Sequence, residues 1–235
     1  MIRTRRPSSS SSSSDPWPVS ESSSREPEVQ HPSRGIAGPV DQLQTATATT
    51  GELVTNTAEA PAAGSYTIDP AHSKIEAVAR HLMVTKVRGH FADYEGTITV
   101  AEDPTQSSVE LTMQAASITT GVEDRDAHLR SADFLDVENH PTVTFRSTRV
   151  EQDGDSWVLA GDLTIIGKTN PVSLNLEFLG VISDPWGNAK SAFSASGEFN
   201  RHDFGLSWNV PLDGGGVLVS EVFKLEIEAQ LAAQE

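Results

Sequence analysis

From Tyr66 onward, apolar and polar residues alternate with a period of two. Such alternation is typical of β-strands that bury one face. Each predicted strand therefore has an inward face and a solvent face, and the chain contains about eight long strands. The predicted inward sets are Ile75/Ala77/Ala79/His81, Val109/Leu111/Met113/Ala115, Val143/Phe145/Ser147, Leu159/Gly161/Leu163/Ile165, Val172/Leu174/Leu176/Phe178, Ala189/Ser191/Phe193/Ala195/Gly197/Phe199 and Phe223/Leu225/Ile227/Ala229.

Short polar turns separate these strands, for example Asp103-Pro104, Asp153-Gly154-Asp155 and Asp184-Pro185-Trp186-Gly187. Long antiparallel strands joined by short turns can close into an up-and-down barrel. An eight-stranded barrel has an interior that either is filled by side chains or holds one small ligand. The many Ala, Gly and Ser residues at inward positions favour a cavity. We therefore predict an all-β fold, an eight-stranded antiparallel up-and-down barrel.

Residues 121–138 interrupt the β pattern and predict a short helix. Thr119 or Thr120 is expected to cap its N-terminus. Arg125 and His128 recur at the spacing that places side chains on one helix face, and Phe134 follows as an apolar anchor. We expect this helix to cross one end of the barrel as a lid.

The first 64 residues have a different composition. They are rich in Ser, Pro, Thr and Ala, and Ser8 to Ser14 is an unbroken serine run. Such a segment buries too little apolar surface to offset the entropy of ordering. We predict a disordered tail over 1–64 and one folded domain over 65–235. Because the composition changes near Asp41, we also hypothesise that translation begins near Val40 rather than at Met1.

The chain is acidic, with 17 Lys and Arg against 33 Asp and Glu and a net charge of −16. This charge disfavours nucleic acids and anionic bilayers as partners. There is no cysteine, which excludes disulfides and thiolate chemistry. No apolar run has the length of a membrane span, and the basic start is followed by serines where an export signal needs apolar residues. We expect cytoplasmic residence.

Residue types that could support catalysis occur in the predicted lid, but no complete site is evident. Asp126, His128 and His140 lack the spacing of zinc ligands. His72 and Ser73 are adjacent on a strand, so their side chains point to opposite faces and do not form a nucleophile–base pair. We expect no catalytic residues, no metal and no cofactor.

Six ordered motifs between Tyr66 and the C-terminus resemble the YceI-like family of lipocalin-like, polyisoprenoid-binding proteins. The motifs are Tyr66–Ser73, His81–Phe91, Arg125–Phe134, Pro141–Ser147, Gly161–Thr169 and Asn200–Leu206. The resemblance implies a lipocalin-like barrel, a long apolar pocket for an isoprenoid or similar amphiphile, a non-enzymatic role and a homodimer. One position departs from the family: Ala77 stands where an inward Phe is usual, which leaves the length of the ligand open.

The combined interpretation is a protein that binds, carries or sequesters a lipid-like molecule, with a role in stress. The predicted pocket wall is Ile75, Ala77, Ala79, Val143, Phe145, Leu163, Phe178 and Phe193. The predicted mouth and lid residues are His72, Arg125, His128, Phe134, Arg201 and Phe204. Two alternatives remain open: an enzyme that uses the His, Asp and Arg residues of the lid on an apolar substrate, and an interaction module with a filled barrel. The polar lid residues would either meet a ligand head group or only hold the lid shut.

Overall fold

A computed structural model of the protein describes residues 61–154 and 156–234. The predicted tail therefore lies outside the described residues as far as position 60, and so does the hypothesised start near Val40. Residues 61–63 precede the first strand, which begins at Gly64.

In the described part of the chain, eleven strands form one antiparallel sheet. One α-helix and three short 3-10 helices interrupt the strands, the latter at Pro104–Gln106, Ala115–Ser117 and Arg201–Phe204. The strands are β1 (Gly64–Ile68), β2 (Lys74–His81), β3 (Thr85–Phe91), β4 (Tyr94–Val100), β5 (Ser108–Gln114), β6 (Ile118–Thr119), β7 (Thr142–Asp153), β8 (Ser156–Ile165), β9 (Lys168–Ser183), β10 (Ala189–Asn200) and β11 (Val222–Ala233); the helix is α1 (Glu123–Arg130).

The sheet closes because β1 pairs with both β4 and β11. Three pairs of short strands each lie end to end and act as one barrel strand: β1 with β2, β3 with β4, and β5 with β6. For example, Ile68 pairs with Leu231 and Ile75 pairs with Ile227, so β1 and β2 share one edge of β11. The eleven segments thus make eight barrel strands in sequence order. The predicted eight-stranded antiparallel barrel is confirmed.

The helix is shorter than predicted. It spans Glu123–Arg130 rather than the whole of 121–138, and its N-cap is Val122, which makes no side-chain capping bond. The prediction that Thr119 or Thr120 caps the helix is therefore wrong. Residues beyond Ser131 continue as turns, which are tied back to the helix by Leu135 N–H donating to the carbonyl of Leu129 at 3.0 Å.

Inward-facing glycines do not leave the space that the sequence suggested. A Cβ added at Gly161 would lie 2.5 Å from the ring of Phe145, and one at Gly197 would lie 2.7 Å from Leu174. Large neighbours occupy the room that these glycines free, so the glycines permit close packing. The expectation that small inward residues open a cavity is wrong at these positions.

Candidate functional site

The two ends and the middle of the barrel interior differ in packing. Near the lid end, inward side chains such as Val143, Phe145 and Leu163 are buried in one apolar cluster that also contains Phe204. At the opposite end, a smaller cluster buries Tyr66 together with Ile98 and Leu231. The barrel is therefore filled at both ends.

Other inward apolar side chains are only half-buried, and most of them pack against one of these two clusters. Their strand register directs their side chains into the barrel. These residues are Ile68, Ala77, Ala79, Val109, Leu111, Trp157, Leu176, Phe178, Phe193, Leu225, Ile227 and Ala229.

Several of these inward residues are neighbours on four adjacent strands. Phe178 of β9 pairs with Phe193 of β10, and their ring centroids lie 5.1 Å apart. Phe193 in turn pairs with Ala229 of β11, and Leu225 of β11 pairs with Ala77 of β2. Two aromatic rings thus lie beside small side chains on the neighbouring strands.

The structure divides the predicted pocket wall into two groups. Ala77, Ala79, Phe178 and Phe193 point inward and are half-buried. The remaining four are buried within the larger apolar cluster, where they serve packing; they are Ile75, Val143, Phe145 and Leu163.

An aromatic cluster joins the lid segment to the connection between β10 and β11. The His128 ring contacts Trp208 edge-on with centroids 4.6 Å apart, and it contacts Phe134 in the same way at 5.0 Å. Phe134 and Trp208 also touch, at 5.2 Å. Phe134 is buried, as expected of an anchor. The lid is therefore fixed by ring packing to a second element that closes the same end.

A buried carboxylate fastens the start of the lid. Asp126 accepts hydrogen bonds from the Thr119 hydroxyl at 2.8 Å, the Thr120 amide at 2.8 Å and the Thr120 hydroxyl. Burial alone would raise the pKa of Asp126, but these hydrogen bonds outweigh it, and the pKa lies below its ordinary value. The two threonines, instead of capping the helix, tie β6 to α1 through this ionised side chain.

Arg125 and His128 are engaged within the lid itself. Arg125 Nε donates to the Thr120 hydroxyl at 2.7 Å, and a second guanidinium nitrogen donates to the Thr120 carbonyl at 3.2 Å. Nε2 of His128 lies 2.9 Å from Oδ2 of Asp133. These contacts favour the interpretation that both residues hold the lid shut.

Arg201 and Phe204 lie at the same end of the barrel but are fully covered. Arg201 is 0% exposed, and its guanidinium donates to the carbonyls of Ser220 and Leu206. Burial lowers the pKa of this side chain from its ordinary value. Phe204 packs edge-on against Phe199 with centroids 5.3 Å apart. Arg201 therefore joins the two halves of the β10–β11 connection rather than lining an open mouth.

His72 does not lie with the other predicted mouth residues. It occupies the break between β1 and β2, where Asp69 N–H donates to the carbonyl of Gln230. Gln230 lies far along β11 from Val222 at the lid end, and at roughly 3.3 Å per residue this separation is about 26 Å. His72 is exposed and pairs with Asp69 at 3.1 Å. Its placement at the lid end is therefore wrong, because the strand break positions it along the barrel wall.

No set of three or more His, Cys, Asp or Glu side chains in the described ranges could hold a metal ion. Among the same residues, no helix has both the length and the hydropathy that a membrane span requires.

Residues 66–231 match the model of the YceI-like domain. The chain belongs to the YceI-like family. A UPF0312 protein of Photorhabdus laumondii is 40% identical over 159 residues, which cover 66% of this chain and 82% of the relative. The YCEI protein of Campylobacter jejuni superimposes with a TM-score of 0.57 at 28% identity, covering 66% of this chain and 90% of that one.

A polyisoprenoid-binding domain from Saccharophagus degradans has the same fold, with a TM-score of 0.50 and 15% identity, covering 72% of this chain and 98% of that one. The YceI-like barrel described above thus has solved counterparts of the same architecture.

Sequence reasoning missed two features of this YceI-like lid. The sequence indicates Asp126 as one of the polar residues that hold the lid shut, but its partners were missed because Thr119 and Thr120 are predicted to cap the helix. Trp208 escaped because its contact with His128 joins residues that are far apart in sequence. The sequence signal for the hydrogen bonds of Asp126 was an acidic residue at the third or fourth position of a helix that follows a Thr-Thr pair.

Proposed function

We propose that the protein binds and carries an isoprenoid or similar amphiphile in the lumen of its barrel, without catalysis. The observation that carries this proposal is the partial exposure of inward apolar side chains, from which we infer that the barrel interior is not completely filled. Side chains such as Phe178, Phe193 and Leu225 point inward yet stay half-buried. A chain-like apolar ligand would cover this surface and remove it from water.

One protein of the same fold is named for the same ligand class. The domain from Saccharophagus degradans that shares this fold is described as polyisoprenoid-binding. Because that domain is only 15% identical to this chain, the comparison shows a shared fold and no more. The argument for ligand binding by this chain therefore rests on its own inward-facing side chains. Stress-related sequestration, cytoplasmic residence, a homodimer and the absence of nucleic-acid binding remain predictions.

The energetics suit a carrier. Each buried CH₂ group contributes roughly 0.8 kcal/mol, so the several methyl and methylene groups of even one isoprene unit contribute on the order of 3 kcal/mol. Loss of translational and conformational freedom offsets much of this gain. The remaining affinity would be sensitive to how well the wall fits the chain. We assign the wall to Ala77, Ala79, Phe178 and Phe193, whereas the buried Val143, Phe145, Leu163 and Ile75 support it from within the packed end.

The polar lid residues support binding rather than turnover. Asp126 has its oxygens occupied by Thr119 and Thr120, and Arg125 is bonded to Thr120. An enzyme would need such groups directed at substrate. We therefore assign Arg125, His128, Phe134, Arg201 and Phe204 to closure of the lid end. In this assignment His72 has no part in the lid.

Tryptophan fluorescence can test where the ligand binds, because the tryptophans occupy different environments. Trp157 faces the lumen, whereas Trp186 is 84% exposed in the turn between β9 and β10. Titration of delipidated protein with a short polyprenol is expected to shift or quench the emission. The variant Trp157→Phe should lose most of this response, and the matched control Trp186→Phe should keep it. An undiminished response in Trp157→Phe would contradict binding in the lumen.

A further inference from the structure

The turn between β2 and β3 presents large apolar side chains to solvent at the lid end. Leu82, Met83 and Val84 are 41%, 53% and 74% exposed. Val84 N–H donates to the carbonyl of His81 at 3.0 Å, which closes a four-residue turn. None of the three belongs to the two apolar clusters of the barrel interior. Exposed apolar patches mark interaction sites.

The backbone of this turn adds a second observation. Leu82 and Met83 have φ angles of 51° and 61°, in the left-handed region. Turns with two such residues favour Asn-Gly or Asp-Gly, because branched and bulky residues are strained there. The chain thus keeps two large apolar residues where the turn itself would be more stable with small polar ones. Strain of this kind clusters at functional positions.

Cations surround the base of the same hairpin on the outer face of the barrel. Arg80 of β2 pairs directly with Lys86 of β3, although like charges at opposed positions repel each other. Lys224 of β11 lies opposite Val78, next to this pair. The three side chains line a groove of about 560 Å³ together with Met83 and Val222. The repulsion between Arg80 and Lys86 would be relieved by an anion bound between them.

Carboxylates also lie near the groove, and Glu226 interacts electrostatically with Lys86 and Lys224. Among the described residues, Arg80 and Lys86 nevertheless form no ion pair within 4.0 Å. Glu221 is the acidic residue of the lining. Lys224 pairs with Glu198 at 3.1 Å, and Arg80 donates to the carbonyl of Val84 rather than to a carboxylate. The net charge of −16 belongs to the whole chain. At physiological ionic strength, charges more than roughly 8 Å away are largely screened. Arg80 and Lys86 are therefore the cations that remain available to an anion at this surface.

We propose that the tip Leu82–Val84 and the groove beside it dock the lid end of the barrel on the surface of an anionic phospholipid bilayer. The apolar tip enters the boundary between head groups and acyl chains, and Arg80, Lys86 and Lys224 meet the lipid phosphates. An apolar projection flanked by cations matches the layering of such a surface. This docking does not depend on which molecule the lumen carries, although it would place the lid end where a lipid could enter.

The decisive variant combines Leu82→Asn with Met83→Gly. It installs the residues that the turn prefers and removes the apolar tip. Thermal stability should therefore stay equal or rise, while binding of the full chain to vesicles of phosphatidylglycerol and phosphatidylcholine falls at least about tenfold. Opposite changes in stability and binding cannot result from damage to the fold. Lys86→Glu should weaken binding about fivefold or more, since one cation near an anionic surface contributes roughly that factor.

Matched controls separate this surface from the rest of the barrel. Arg146→Glu makes a similar charge change on the outer face of β7, and Trp186→Ser removes an exposed apolar side chain from the opposite end. Both variants should bind vesicles as the original protein does. Co-sedimentation should be strong with anionic vesicles, weaker with pure phosphatidylcholine, and reduced by added salt.

Three results would overturn the proposal. The first is failure of the original protein to bind anionic vesicles. The second is vesicle binding by the double variant Leu82→Asn/Met83→Gly that equals that of the original protein, or a loss of vesicle binding that occurs only in Trp186→Ser. The third is a dimer in sedimentation velocity that the tip variant converts to monomer without affecting vesicle binding, which would assign the tip to a second copy of the chain.

Discussion

Replacement of Asp126 by Ala should destabilise the lid strongly. The carboxylate is buried and accepts three hydrogen bonds from Thr119 and Thr120, one of them from a backbone amide. A hydrogen bond to a charged group contributes about 1.5–3 kcal/mol, and a buried donor left without a partner costs about 1–3 kcal/mol. Because the two hydroxyls can rotate to other acceptors, we expect a total loss of about 3 kcal/mol rather than the sum.

Thermal unfolding and urea titration would measure this loss. For a domain of this size, about 1 kcal/mol corresponds to roughly 2–4 °C, so Asp126→Ala should lower Tm by about 6–12 °C. Asp126→Asn retains one acceptor oxygen and should cost about 1–2 kcal/mol. The matched control is Asp124→Asn, an exposed acidic residue in the same helical turn, which should change stability by less than about 0.5 kcal/mol.

The pH dependence provides an independent check on the same residue. The pKa of Asp126 is lower in the folded state than in the unfolded state, where it is about 3.9. The ionised side chain therefore contributes its full stability above that value, and the contribution disappears as pH falls through the lower folded pKa. The stability difference between the original protein and Asp126→Asn should be constant near neutral pH and shrink below about pH 4. A difference that is absent at neutral pH would refute the role assigned to this carboxylate.

Two further predictions concern packing inside the barrel. Gly161→Ala should destabilise the domain by about 1–3 kcal/mol in urea titration, because the added Cβ would meet Phe145 and the Arg146 carbonyl. The control Gly214→Ala should be nearly neutral, because no atom lies within 4 Å of its added Cβ. Equal losses of stability in the two variants would contradict the assigned packing. Phe193→Trp should weaken retention of a bound polyprenol in a dilution assay while leaving far-ultraviolet circular dichroism unchanged, and unaltered retention would argue against Phe193 as part of the lumen wall.

The sequence could predict the barrel because strand faces repeat every two residues. Ile75 and Ala77 share the inward face in the structure as their spacing indicated, and the same holds for Leu163 and Phe193 in later strands. The strand count followed from the turns between these runs. Period and turn chemistry are local properties, so one chain is enough to reveal them.

Features that depend on distant partners could not be predicted in the same way. The break between β1 and β2 is fixed by Ser73, whose hydroxyl accepts from the Gln230 amide at 2.9 Å. The register between strands places the Phe145 ring over Gly161, in the space that a side chain at Gly161 would need. The contact between Trp208 and His128 joins two connections at one end of the barrel. Such contacts decide which inward residues are packed and which face the lumen, and alternation alone does not encode them.

The central claim is that the barrel holds a lipid-like molecule between its two packed ends. Native mass spectrometry of freshly purified full-length protein tests it most directly, with lipid extraction and mass analysis of the same sample. The account predicts an additional mass that denaturation releases and that is identified as an isoprenoid or similar amphiphile. The variant Ala77→Trp, which places an indole in the lumen, should lose this additional mass. The control Ala160→Trp, on the outer face of β8, should retain it. Protein that shows no additional mass and takes up no polyprenol when it is supplied would contradict the account.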